Sequence, residues 1–91
     1  MNEQDISNQL VGILTDMTSD WDIEFDSNIN RETRLIADLA FESIDIVELV
    51  VAIELTFNSR GIPFERLLMV DGRYVDDLSV AQVSDFVAAN L

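Results

Sequence analysis

Ser43 stands between two carboxylates, Glu42 and Asp45, where a polar loop gives way to a strongly apolar run. A helix that begins here leaves backbone N–H groups unpaired at its positive dipole end. A hydroxyl at that place is exposed, and a phosphate attached to it is electrostatically tolerated. Serine is also a common N-cap, and position alone favours that plainer role. A second set of candidate ligands is Asp20, Asp22, Glu24 and Asp26, whose alternation hints at calcium. Counted as an EF-hand loop from Asp20, the sixth position is Phe25 rather than glycine and the twelfth is Arg31 rather than glutamate, so the pattern fails. The same alternation fits an extended segment with Trp21, Ile23 and Phe25 facing away from the acids.

Other chemistries are excluded by composition. The 91 residues include no histidine and no cysteine. The commonest general base and zinc ligand is therefore absent, as are disulfides and thiolate metal sites. A self-contained Ser-His or Cys-His enzyme cannot be built from this chain. Eighteen acids face five bases, all arginine, for a net charge of −13. That charge opposes binding to nucleic acid or to an anionic membrane. It favours partners with basic patches and fast, salt-sensitive encounter. The first residues form neither a signal peptide nor a membrane span, so a cytoplasmic location is expected.

The elements that must position Ser43 follow from periodicity. Ile6, Leu10, Ile13, Leu14 and Met17 recur at helical spacing and predict a first helix over 5–17, capped by Asn2 or Asp5. Residues 18–39 form a long connection, anchored by Trp21, Ile23, Phe25, Ile29, Leu35, Ile36 and Leu39. A second helix is expected from 43 or 44 to about 58, with Gly61 as its C-terminal stop. Ile46, Leu49, Val50, Ile53 and Phe57 make its core stripe. Ile44, Val47, Glu48, Val51, Glu54 and Leu55 lie on the opposite face. In so short a chain, a helix with aliphatics on both sides is hard to bury completely, and its second face points to a partner. Pro63 suits the start of a short helix over 64–69, and Asp71-Gly72-Arg73 is a turn signal. Ser79 and Gln82 have the form of a capping box for a last helix over 80–90. Val80, Val83, Val87 and Leu91 line one of its faces, with Phe86 alongside. The expected fold is one all-α domain over residues 1–91. It is a small antiparallel bundle of three main helices, with a short helix before the last and a long first loop.

The run Leu39-Ala40-Phe41-Glu42-Ser43-Ile44-Asp45-Ile46-Val47-Glu48-Leu49 resembles the motif of the acyl carrier proteins and the related peptidyl carrier domains. That family usually reads Leu-Gly-x-Asp-Ser-Leu-Asp-x-Val-Glu-Leu. Asp45, Val47, Glu48 and Leu49 match directly. Glu42 stands for the usual Asp, Ile44 for Leu and Ala40 for Gly. Glycine would allow positive φ at that last place, and alanine would not. Residues 33–39 and 76–80 also resemble the family's runs before the motif and before the last helix. The second connection is several residues longer than the family's. The resemblance spans about residues 4–90.

The resemblance implies that Ser43 carries 4′-phosphopantetheine, transferred from coenzyme A by a separate phosphopantetheinyl transferase. Because the chain has no thiol of its own, any thioester would be held on that arm. Glu42, Ile44, Asp45, Val47, Glu48, Val51 and Glu54 would form the docking face for acyl-loading and acyl-processing enzymes with basic patches. The chain itself would catalyse nothing, bind no metal and act as a monomer. Its cargo would be a fatty acyl, polyketide or aminoacyl group. Two rivals are an acidic interaction module, such as a nucleic-acid mimic, which needs the charge but not the serine, and a calcium-binding protein.

Overall fold

The first helix, α1 (Glu3–Thr18), starts where the Asn2 side chain accepts the N–H of Asp5 at 2.8 Å. Ile6, Leu10 and Leu14 are buried at its inner face, and Ile13 and Met17 pack against them. The computed structural model describes residues 2–21 and 28–91. The expected extended segment and the acids Asp22, Glu24 and Asp26 lie outside the described residues. Of the loop anchors that are described, Leu35 and Leu39 are buried, and Trp21 and Ile29 pack on the core. Ile36 departs from the expectation and is exposed.

Helix α2 (Ser43–Thr56) buries Leu49 and Ile53, with Ile46, Val50 and Phe57 packed beside them. It stops earlier than Gly61. Asn58 takes a left-handed conformation, φ 48°. Its N–H donates to the Leu55 carbonyl at 3.3 Å, and the Ser59 N–H donates to the Glu54 carbonyl at 3.0 Å. This pair of bonds is a Schellman closure, with asparagine in the place glycine usually takes.

The short helix α3 (Glu65–Leu68) runs directly into two strands, β1 (Met69–Val70) and β2 (Arg73–Tyr74). They pair antiparallel, Met69 with Tyr74 and Val70 with Arg73. Asp71 and Gly72 between them have φ 54° and 79°. Two successive positive φ values make the turn whose twist matches a hairpin. The Val75 N–H extends the pairing to the Leu68 carbonyl at 2.9 Å. The all-α expectation is therefore corrected: the chain is predominantly helical with a two-stranded hairpin in its second connection. Helix α4 (Val80–Ala89) begins on the expected box, with Ser79 N–H donating to Gln82 at 2.8 Å and Gln82 N–H to Ser79 Oγ at 3.2 Å.

Helix α1 packs chiefly on α4, and also on α2. Val80, Val83 and Val87 of α4 are buried, but Leu91 is exposed because the helix has already ended. Buried Ser7 and Ser84 hydroxyls share a 2.7 Å hydrogen bond across the α1–α4 seam. Arg31 donates to Ser7 Oγ at 2.9 Å and forms a forked pair with Asp85 at 3.0 and 3.2 Å. A buried hydroxyl needs such a partner, and this one also fastens the first loop to both helices.

Candidate functional site

The residues before Ser43 turn sharply. Leu39 N–H donates to the Arg34 carbonyl, Ala40 N–H to Ile36 and Phe41 N–H to Leu35, at 3.2, 3.1 and 3.0 Å. Ala40 sits at φ 58° to make this turn. The sequence argument that alanine excludes positive φ here is overturned. Three local hydrogen bonds hold the left-handed geometry against its intrinsic cost of roughly 1–2 kcal/mol. The turn drives Phe41 into the core, where its ring meets Trp21 at a centroid distance of 5.3 Å.

Glu42, not Ser43, caps α2. The Glu42 N–H donates to Asp45 Oδ2 at 2.7 Å. Ser43 is the first helical residue and is exposed. The plainer cap reading of Ser43 thus gives way, and its hydroxyl is not engaged by the helix start. The N–H groups of Ser43 and Ile44 have no acceptor among the described residues.

Beside Ser43 opens a cleft of 580 Å³. Helix α2 supplies Glu42, Ser43, Ile46 and Val47 to it. The first loop contributes Leu35, Ile36 and Phe41. The opposite wall is the root and second strand of the hairpin, with Leu68, Tyr74 and Val75. Asp77 and Leu78 close the end. The hairpin residues and Asp77 were not among the sequence candidates. The Asp71-Gly72 turn was the available signal for the hairpin, but its two-residue strands are too short to show alternation.

Asp77 binds the two connections together. Its Oδ1 accepts the N–H groups of Ile36 and Leu78 at 2.9 and 2.8 Å, and its Oδ2 accepts that of Ala37 at 3.0 Å. The Leu35 N–H donates to the Leu78 carbonyl at 2.9 Å alongside. Partial burial pushes the Asp77 pKa up, but the donors Ile36, Ala37 and Leu78 and the nearby Arg34 charge outweigh it. The carboxyl therefore titrates below its ordinary range.

The outer face of α2 is apolar and exposed. Ile44 is 59% exposed, Val47 57% and Val51 48%, and Leu55 lies further along the same helix, also exposed. Residues 64–74 do not fold over these valines. Among the acids of this helix, Glu48 is exposed and makes no ion pair among the described residues. Asp45 and Glu54 are half-buried; Asp45 holds Glu42, and Glu54 accepts the Gly61 N–H at 3.3 Å. The structure thus brings Glu42, Ser43, Ile44, Val47, Glu48 and Val51 to one accessible surface. It gives Asp45 and Glu54 structural bonds as well.

No helix among the described residues is long and apolar enough to cross a membrane. A scan against protein-family models, a search of curated proteins and a search of solved structures each found no match to this chain.

Proposed function

We propose that this chain is an acyl carrier protein, with 4′-phosphopantetheine attached at Ser43. The observation that carries the reading is the Ser43 hydroxyl, exposed at the first residue of a 14-residue helix and on the rim of an apolar cleft. The reading includes an antiparallel arrangement of the three main helices and a cytoplasmic location. The residues fit the group: unpaired N–H donors of Ser43 and Ile44 and the helix dipole favour a phosphodiester at this end. Glu42 and Asp45 keep the site anionic, so a transferase would need basic groups to approach it.

In the attachment step the Ser43 Oγ displaces at the β-phosphorus of coenzyme A. A new P–O bond forms to serine, the pyrophosphate P–O bond breaks, and 3′,5′-ADP leaves. The serine proton passes to a base on the transferase, since this chain has no histidine. Once attached, the arm supplies a terminal thiol that holds an acyl group as a thioester. Ile44, Val47 and Val51 offer partner enzymes an apolar strip, and Glu48 steers their basic patches.

Incubation with coenzyme A, magnesium and a broad-specificity transferase should add one phosphopantetheine by intact-protein mass spectrometry. Ser43→Ala should abolish the addition with little change in helical circular dichroism. Addition at another serine, such as Ser59, overturns the assignment, and no addition at all returns the chain to the acidic interaction module.

A further inference from the structure

The hairpin is exposed on both faces. Met69 and Tyr74 are cross-strand partners and share one face of the ribbon, while Val70 and Arg73 share the other. Met69 is 37% exposed, Val70 57% and Tyr74 77%, and Arg73 is exposed as well. A two-stranded ribbon this short is marginal in water, and its open edges and apolar side chains invite a partner. Its charge is also opposite to that of the rest of the chain. Residues 60–75 hold three of the five arginines, Arg60, Arg66 and Arg73, against two acids, Glu65 and Asp71, a local net of +1 in a chain of −13. All three arginines are exposed and make no ion pair among the described residues.

The outer strip of α2 has the complementary chemistry. Ile44, Val47 and Val51 are exposed there, and Glu48 stands among them, exposed and likewise without an ion pair among the described residues. Strip and hairpin flank the mouth of one cleft, through Val47 on one side and Tyr74 on the other. We propose that the hairpin of one copy docks on the outer strip of α2 in a second copy, and reciprocally, in a closed two-fold dimer. A two-fold axis through the shared opening sets each hairpin against the other copy's helix and uses the same patch on both chains. Val70 and Tyr74 bury apolar surface against Val47 and Val51, and Arg73 meets Glu48. A second copy supplies the apolar strip and the acid together. The overall negative charge opposes approach at low ionic strength, but at about 0.15 M salt its reach falls to a Debye length of about 8 Å. The dimer does not depend on the carrier reading. On that reading it also covers the strip until a partner enzyme displaces it.

Sedimentation equilibrium of the full chain at that salt, over a series of concentrations, tests the contact. The native chain is expected to behave as a reversible monomer–dimer system. Arg73→Glu and Glu48→Arg each alter an exposed side chain, so circular dichroism should not change. Each should weaken the dimer at least about tenfold, because it places like charges together at both contacts. Mixed in equal amounts, the two variants should associate to within about threefold of the native affinity, since every contact in the mixed dimer again joins opposite charges. A native chain that stays monomeric leaves the hairpin to an acidic partner of another kind and overturns the proposal. Assembly beyond two copies overturns the two-fold arrangement. A dimer that either variant leaves unweakened, or a mixture that associates no better than the variants alone, overturns the pairing of hairpin with helix.

Discussion

Replacing Asp77 by asparagine changes one atom in the clamp that joins the two connections around Ser43. In the native chain Oδ1 accepts from Ile36 and Leu78, and Oδ2 accepts from Ala37. Asparagine can keep its carbonyl oxygen on the first pair. Its NH₂ group then faces the Ala37 N–H, donor against donor. Hydrogen bonds to a charged acceptor contribute about 1.5–3 kcal/mol each when buried. Asp77 is only half-buried, so water takes over part of that contribution. We therefore expect Asp77→Asn to cost about 1–2 kcal/mol at pH 7 and Asp77→Ala, which abandons all three donors, about 2–3 kcal/mol.

The pH dependence has a definite sign. The native carboxyl has a pKa below its ordinary value, 3.8, while the unfolded chain has the ordinary one. The stabilisation is therefore fully present above the ordinary value and is lost as pH falls through the lowered native pKa. A protonated aspartic acid is nearly isosteric with asparagine, so the gap between native and Asp77→Asn should close over that same window. Urea unfolding of both proteins at pH 7 and at steps below pH 4 measures it. An equal stability at pH 7, or a gap that stays constant down to the lowest pH, would refute the clamp. Hydrogen exchange at Ile36, Ala37 and Leu78 should quicken in the variant, since their acceptor is the group altered.

Ala40→Gly should stabilise the fold by about 0.5 kcal/mol, the relief of left-handed strain less the greater chain entropy of glycine; a lower melting temperature would contradict the φ of 58°. Val51→Asp should cost only about 1 kcal/mol in urea unfolding, because the side chain is already 48% exposed. The same variant should markedly lower transferase turnover, and a large loss of stability would mean that this face is core. Glu48→Lys should slow association in stopped-flow measurements, by an amount that shrinks as salt rises. A salt-independent effect would remove Glu48 from steering.

Much of the scaffold was legible in the sequence because its signals are local. The buried stripes of α1 and α2 were given by helical period, and the Ser79–Gln82 box by adjacent residues whose bonds form within one turn. The outer face of α2 was legible for the same reason: Ile44, Val47 and Val51 lie opposite Leu49 and Ile53 whatever else the chain does. Ser43 was identifiable as a helix-start hydroxyl, and the sequence alone separated it from any His- or Cys-dependent chemistry.

Tertiary structure decided the rest. Ala40 accepts a left-handed φ because Ile36 and its neighbours supply hydrogen-bond partners, a balance that residue preference does not contain. Glu42 takes the cap and leaves Ser43 free, a choice between adjacent polar residues that depends on how the preceding turn enters the helix. Ile36 stays exposed, although apolar, because its N–H is held by a carboxylate 41 residues further on. The cleft itself joins residues from 35 to 78, and its hairpin wall stands on strands of two residues. Pairing that short is stabilised by its contacts with the core, through Leu68 and Val75, rather than by any period written in the chain.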